Sequence, residues 1–279
     1  MIYPIFYSFI ARDIATTKPF SVIKAACDLA RKLDAELSVT VAALQISVPN
    51  ILASKTVDGI IADEHKRSLA SATAARDEIA EYTRTSKQTI HTEILKGDFN
   101  SIKKSFINRA KIHGLLFAEA GTPGAFLEAG LIEPLLFESG RPILIVPNRF
   151  SSDISVDRIM IAWDGSVGAA RAVWSAIPLL RLAKIIEIVT VTGEKELNDV
   201  PAASLLAAKL SYLGIKIDVT TLPYSGNTAA GLIQKHALKT HAGLIVQGAY
   251  GRSRWSEFIL GGVTREMLHE CPLPILMCH

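Results

Sequence analysis

The sequence predicts an α/β protein built from two successive parallel-sheet domains, each with helices laid against its sheet. Three observations lead there. Short β-branched runs alternate with longer amphipathic stretches along all 279 residues, the pattern of strands joined by crossover helices. Three strand-like texts recur in the same order in each half: AELSVTV at 35–41 against IIEIVTV at 185–191, KIHGLLF at 111–117 against KTHAGLIV at 239–246, and PILIVP at 142–147 against PILMCH at 274–279. The length also suits two domains of about 100 to 200 residues each.

In the first half, strands are predicted at 5–10, 36–42, 89–95, 115–118 and 143–146, with a long, charged second helix near 63–85. The polar run 148–157, with Ser151, Ser152 and Asp153, reads as a linker, so the domains are expected at 1–150 and 151–279. In the second half, strands are predicted at 158–163, 186–191, 216–222, 244–247 and 275–278. Helices fall at 168–182, 202–213, 228–239 and 264–270, with Gly214 as a helix stop because glycine accepts the left-handed conformation.

Composition excludes several classes. With 49% hydrophobic and 20% charged residues the chain is of ordinary globular type. A net charge of +3, with basic residues spread along the chain, does not point to nucleic acid. Cys27, Cys271 and Cys278 show no metal or CxxC spacing, which fits buried thiols in a reducing, cytoplasmic setting. The apolar stretch 114–137 is broken by Glu119, Glu128, Glu133, Pro123 and Pro134, so it reads as strand, loop and helix rather than a membrane span.

In open parallel sheets the ligand crevice lies beyond the carboxyl ends of the strands. Three segments of the second half are expected to converge there: Ala162-Trp163-Asp164-Gly165-Ser166, the run Gln247-Gly248-Ala249-Tyr250-Gly251, and, nine residues on, Gly261-Gly262-Val263-Thr264. Glycines let the backbone approach a ligand, and free amides at a helix start point at phosphate oxygens. Arg252 and Arg254 lie in the intervening loop, where solvated surface is the simpler role.

The spacing Gly248-x2-Gly251-x9-Gly261 resembles the signature of the universal stress protein family, and the text GAYGRSRWSEFILGGVTREML followed by CPLPILM is similar to that family throughout. The similarity is strong over 157–279 and weak over 1–147, so the chain resembles a tandem universal stress protein. This implies two tandem five-stranded parallel sheets of the adenine nucleotide α-hydrolase-like fold, strand order 3-2-1-4-5, whose last strands meet in an internal pseudo-dimer. It also implies ATP, with or without magnesium, as ligand in the members that bind it. Asp164 would meet the ribose or adenine, with Ala162 beside it, and Val191 would pack near the base. Gln247, Gly248, Gly251, Gly261, Gly262, Val263 and Thr264 would surround the phosphates. One departure is that the family signature ends in a hydroxyl residue where this chain has Gly262.

The first half matches poorly as a second site. Glu119 stands where Gly248 stands, the loop is three residues shorter, and Asp13 replaces Asp164 only after a one-residue slip. No catalytic set accompanies the second-half glycines. The histidines, including His91, His113, His236, His241, His269 and His279, offer no HxxxH or HExxH spacing, and His113 and His241 read as capping or surface residues. Ser166 is a helix cap in a context that is not G-x-S-x-G. There is no G-x4-G-K-[ST] loop. Three readings follow: an adenine-nucleotide-binding stress or signalling module with protein partners, a slow ATP hydrolase or transferase, and a ligand-free scaffold. AMP in place of ATP, and a homodimer, stay open.

Overall fold

The computed structural model describes residues 4–10, 20–46, 55–86, 90–120, 126–147, 150, 153–193, 202–224, 226, 228–249 and 262–279. They form two compact units, Met1–Arg141 and Pro142–His279.

The first unit runs β1 (Ile5–Ile10), α1 (Phe20–Lys32), β2 (Leu37–Leu44), α2 (Lys55–Ser86), β3 (Ile90–Gly97), α3 (Phe99–Ala110), β4 (Leu115–Glu119) and α4 (Phe126–Glu138). Its strands lie in the order β3-β2-β1-β4, with β1 parallel to β2 and β4, and β2 parallel to β3. Leu37, Val39 and Val41 are buried, as are Leu115, Leu116 and Phe117, because β-branched and aromatic residues suit a sheet covered on both faces. Asp98 caps α3, accepting from the amides of Asn100 and Ser101.

The second unit begins with β5 (Ile143–Val146), the last strand of the first half. It continues with β6 (Arg158–Ala162), α5 (Val167–Ser175), α6 (Ile177–Leu180), β7 (Ile185–Thr192), α7 (Ala203–Leu210), β8 (Lys216–Pro223), α8 (Ala229–Lys239), β9 (Leu244–Gly248), α9 (Gly262–Glu270) and β10 (Ile275–Cys278). The order is β5-β10-β9-β6-β7-β8. Within it, β8-β7-β6-β9-β10 is the 3-2-1-4-5 arrangement, wholly parallel. β5 runs antiparallel to β10, with Leu144 opposite Leu276, so the two terminal strands of the repeats do meet.

Three expectations are corrected. The helix expected at 168–182 is two, broken at Ala176. Pro178 cannot donate to Trp174, and its ring crowds that carbonyl. The helix expected at 63–85 starts at Lys55. Strand register also shifts the first repeat match by one residue. Ile5 pairs with both Leu37 and Leu115, and Ile159 pairs with both Ile186 and Leu244, so Leu37 corresponds to Ile186 rather than Glu187. The Gly214 stop is as expected, at φ 69° after a short 3-10 turn.

Carboxylates on the sheets are held by side-chain hydrogen bonds. In the first unit, Glu93 of β3 accepts from Thr40 Oγ1 at 2.9 Å and from Arg109 Nε at 2.5 Å and Nη2 at 3.1 Å. Burial alone would raise the Glu93 carboxyl. The hydrogen bonds from Arg109 and Thr40, with the Arg109 charge, outweigh it and hold the group below its ordinary value of 4.5. A carboxyl depressed on folding stabilises above its unfolded value, and that contribution is lost as pH falls through the depressed one. Glu93→Gln is therefore expected to lower stability by a constant amount at neutral pH. The gap to wild type should close below about pH 4, as chemical denaturation across a pH series would show; because Glu93 is partly exposed, the gap will be small.

All three cysteines are buried and unpaired. Burial pushes Cys27 up to about 12, with Asp28 adding to it, and Cys271 up to about 11. Such thiols are protonated near neutrality and poorly nucleophilic.

Candidate functional site

Parallel register aligns the carboxyl ends of three neighbouring strands. Ala162 of β6 pairs with Val189 of β7 and with Gln247 of β9. Asp164 and Val191 each lie two residues beyond that row, and Gly248 is the final residue of β9. The sequence-predicted residues Ala162, Asp164, Val191, Gln247 and Gly248 therefore do share one edge of the sheet.

The turn after β6 is built locally. Trp163 N donates to Val189 O at 2.8 Å, which extends the pairing one residue past the strand. Asp164 is exposed and its Oδ1 accepts from Ser166 N at 3.0 Å. Gly165 adopts φ 70°, a conformation glycine takes without steric cost. Ser166 then caps α5, accepting from Ala169 N at 3.1 Å, which is the expected role.

Gly248 has a second purpose that the sequence reading did not assign. A β-carbon there would lie 2.3 Å from Ala169 N and 2.6 Å from Gly168 C, so the first turn of α5 rests on the β9 backbone. Gly168 faces the same contact from the other side, where a β-carbon would lie 3.0 Å from Ala249 O. Ala249 N donates to Cys278 O at 2.8 Å, so that amide is already used within the protein. The run of small residues Gly168-Ala169-Ala170 is the signal that points to this close approach.

Beyond the strands, α9 starts at Gly262, with Val263 and Thr264 in its first turn. Gly262 and Val263 open the helix, and a helix start is an anion-favouring end. Thr264 is buried, whereas Gly262 has no atom within 4 Å of a β-carbon position. Helix α9 is tied to α8: Thr228, the α8 cap, donates from Oγ1 to Glu266 Oε1 at 2.7 Å, and Gln234 Nε2 reaches Met267 Sδ at 3.5 Å. Gly251, Gly261 and the arginines between them lie outside the described residues.

Gln247 is only 4% exposed, and its Oε1 has no hydrogen-bond partner among the described residues. Lower on the same face, Glu187 of β7 is buried. It accepts from Thr220 Oγ1 at 2.8 Å and from His236 Nε2 of α8 at 2.7 Å, with Arg158 Nη1 at 3.6 Å. His236 is thus a structural tie between α8 and the sheet. His113 takes the expected capping role, its Nδ1 meeting Arg109 O in the last turn of α3 at 2.8 Å, while its ring stacks on Phe6 at 4.8 Å. His241 is exposed at φ 55°.

In the first unit, register makes Ile10 the counterpart of Asp164, so Asp13 needs a three-residue slip rather than one, and it lies outside the described residues. Glu119 ends β4 at the position of Gly248. Among the described residues there is no His, Cys, Asp and Glu group able to hold a metal ion, and no helix long and apolar enough to cross a membrane.

Comparison with known proteins follows the same division. Residues 155–279 match the model of the universal stress protein family. A universal stress protein of Synechocystis sp. is 25% identical over 190 residues, which take in 66% of this chain and 59% of that relative, so the chain spans little more than half of its length. A universal stress protein structure from Archaeoglobus fulgidus is similar with TM-score 0.69 at 17% identity, covering 98% of this chain and 97% of that one. A putative universal stress protein from Pseudomonas aeruginosa gives TM-score 0.60 at 14% identity, over 99% and 92% of the two chains. Identities this low speak for the fold alone.

Proposed function

Residues 155–279 carry a universal stress protein domain, and from that premise we propose that the protein is a stress-response or signalling module that binds ATP or a related adenine nucleotide at the carboxyl edge of its second sheet. The observation that carries this reading is the convergence of Asp164, Val191, Gln247 and Gly248 on one edge, beside the start of α9. In open parallel sheets that edge, where strand order reverses between β6 and β9, is where ligands sit.

The residues present fit an adenine nucleotide in part. Asp164 Oδ1 is engaged by the Ser166 amide, and the exposed carboxylate can still accept from a ribose hydroxyl. Val191 is half-buried and offers an apolar contact for a base. The amides of Gly262 and Val263 favour a phosphate, and magnesium would be held chiefly by the phosphates themselves. Gly248 contributes less to a cradle than the sequence suggested, because α5 fills the space beside it. No acid, base and nucleophile set accompanies these groups among the described residues, so the reading is binding rather than dedicated catalysis, in a reducing cytoplasm that suits three unpaired thiols.

The test is calorimetric titration with ATP, together with mass spectrometry of any ligand carried by freshly purified protein. Asp164→Ala should weaken binding about 10-fold or more, as expected for loss of a charged acceptor. Gly262→Ser places a hydroxyl in open space at the helix start and should tighten binding about 2- to 10-fold. Absence of copurified nucleotide and of any binding heat would overturn the proposal. It would favour a ligand-free scaffold, which the Ala249 amide already bonded to Cys278 O also supports. Turnover of labelled ATP would instead favour slow hydrolysis.

A further inference from the structure

Gln247 is out of keeping with its surroundings. A carboxamide at the end of a buried strand, 4% exposed and with its carbonyl oxygen unpartnered, costs stability, and in a native protein such a group calls for a reason. Its neighbours in register are Ala162 and Met277, which offer it no side-chain hydrogen bond.

Register also says which way it faces. Gln247 pairs with Ala162, which pairs with Val189, two residues along β7 from Glu187. Side chains two apart on a strand share a face, and Glu187 is bonded to His236 of α8. Gln247 therefore lies on the α8 side of the sheet, where α9 is fastened to α8 through Thr228 and Glu266. Val191 stands one row above it on the same face, and Asp164 follows the end of β6 at the same edge. An acceptor without a partner thus sits one row below the edge where Asp164 and Val191 stand.

Resting on the nucleotide reading, we infer that Gln247 Oε1 is a specificity-determining contact that accepts a hydrogen bond from a sugar hydroxyl of the bound nucleotide. A carbonyl oxygen pairs only with a donor, and phosphate oxygens near neutrality offer none. A base near Val191 on β7 and phosphates at α9 leave the sugar over β6, between Asp164 and Gln247. The protein then selects nucleotides that carry that hydroxyl over the analogue that lacks it, by leaving a buried acceptor empty when the hydroxyl is missing, a means of rejection stronger than shape alone.

The experiment compares ATP, 2′-deoxy-ATP and 3′-deoxy-ATP by titration against wild type and Gln247→Met, whose side chain has nearly the same shape without the polar group, and records the melting temperature of each ligand-free protein. Wild type is expected to prefer ATP over at least one deoxy form by about 3- to 10-fold. In Gln247→Met that ratio should fall to about one, while the ligand-free variant melts no lower than wild type, because an unsatisfied buried group has been removed. Equal affinities for all three nucleotides in wild type, or an unchanged ratio in the variant, overturn the inference and leave the nucleotide site standing. A lower melting temperature of ligand-free Gln247→Met overturns it as well, by marking the amide as part of what holds the fold together. If wild type binds none of the three, the site itself falls, and this inference with it.

Discussion

Gly248→Ala is expected to destabilise the second unit by about 3 kcal/mol or more and to reduce nucleotide affinity at the same time. Overpacking a core usually costs about 1 to 3 kcal/mol. Here the added carbon meets backbone, 2.3 Å from Ala169 N and 2.6 Å from Gly168 C, so no rotamer change relieves it and α5 must move. That helix begins at Ser166, bonded to Asp164, so moving it displaces the carboxylate assigned to the ligand. Gly243→Ala separates the two effects. Its β-carbon would lie 2.2 Å from Ser155 O, ahead of β6 and at the opposite end of the strand from Asp164. It should cost comparable stability yet leave the affinity of the remaining folded protein unchanged. Thermal denaturation, at about 2–4 °C per kcal/mol for a domain of this size, together with titration of both variants, checks the pair. Equal loss of affinity in both would mean that Gly248 acts through global stability alone.

The parts of the fold legible in the sequence are those where local chemistry and long-range structure agree. β1, β5 and β10 begin and end where the apolar runs do, because they are short, β-branched and bounded by proline or a polar break. The start of α2 was hidden, since Gly59 and the exposed Ile60 fall in its first turns and spoil the amphipathic pattern that marks a helix. The one-residue error in aligning 35–41 with 185–191 arose from matching the letters VTV. Pairing partners set register, and those are not visible in one strand alone.

The candidate site was legible as a location more than as a mechanism. Strand ends named Asp164 and Gln247, because a carboxyl edge follows from topology, and the family resemblance added Val191. What Gly248 is for depends on a helix seventy-odd residues earlier in the chain, and glycine has no side chain to report its neighbour. The tie between Glu187 and His236 was missed for a related reason. The two residues stand forty-nine apart with no motif spacing, and only the crossover from β8 through α8 brings them together.

That tie carries the second large effect. Glu187 is a carboxylate in the sheet interior, satisfied by Thr220 and His236 on one oxygen and approached by Arg158 on the other. Removing the donor that satisfies a buried carboxylate leaves it desolvated and costs about 3 to 5 kcal/mol, whereas replacing both groups with apolar ones of similar volume is often neutral or stabilising. His236→Leu should therefore destabilise strongly, loosening α8 from β7, while His236→Leu combined with Glu187→Met should recover much of the loss. Such non-additivity is the sign of direct coupling, and chemical denaturation of wild type, both single variants and the double variant measures it. Simple addition of the two single losses would show that Arg158 and Thr220 suffice for Glu187, and that α8 is held by its apolar face alone.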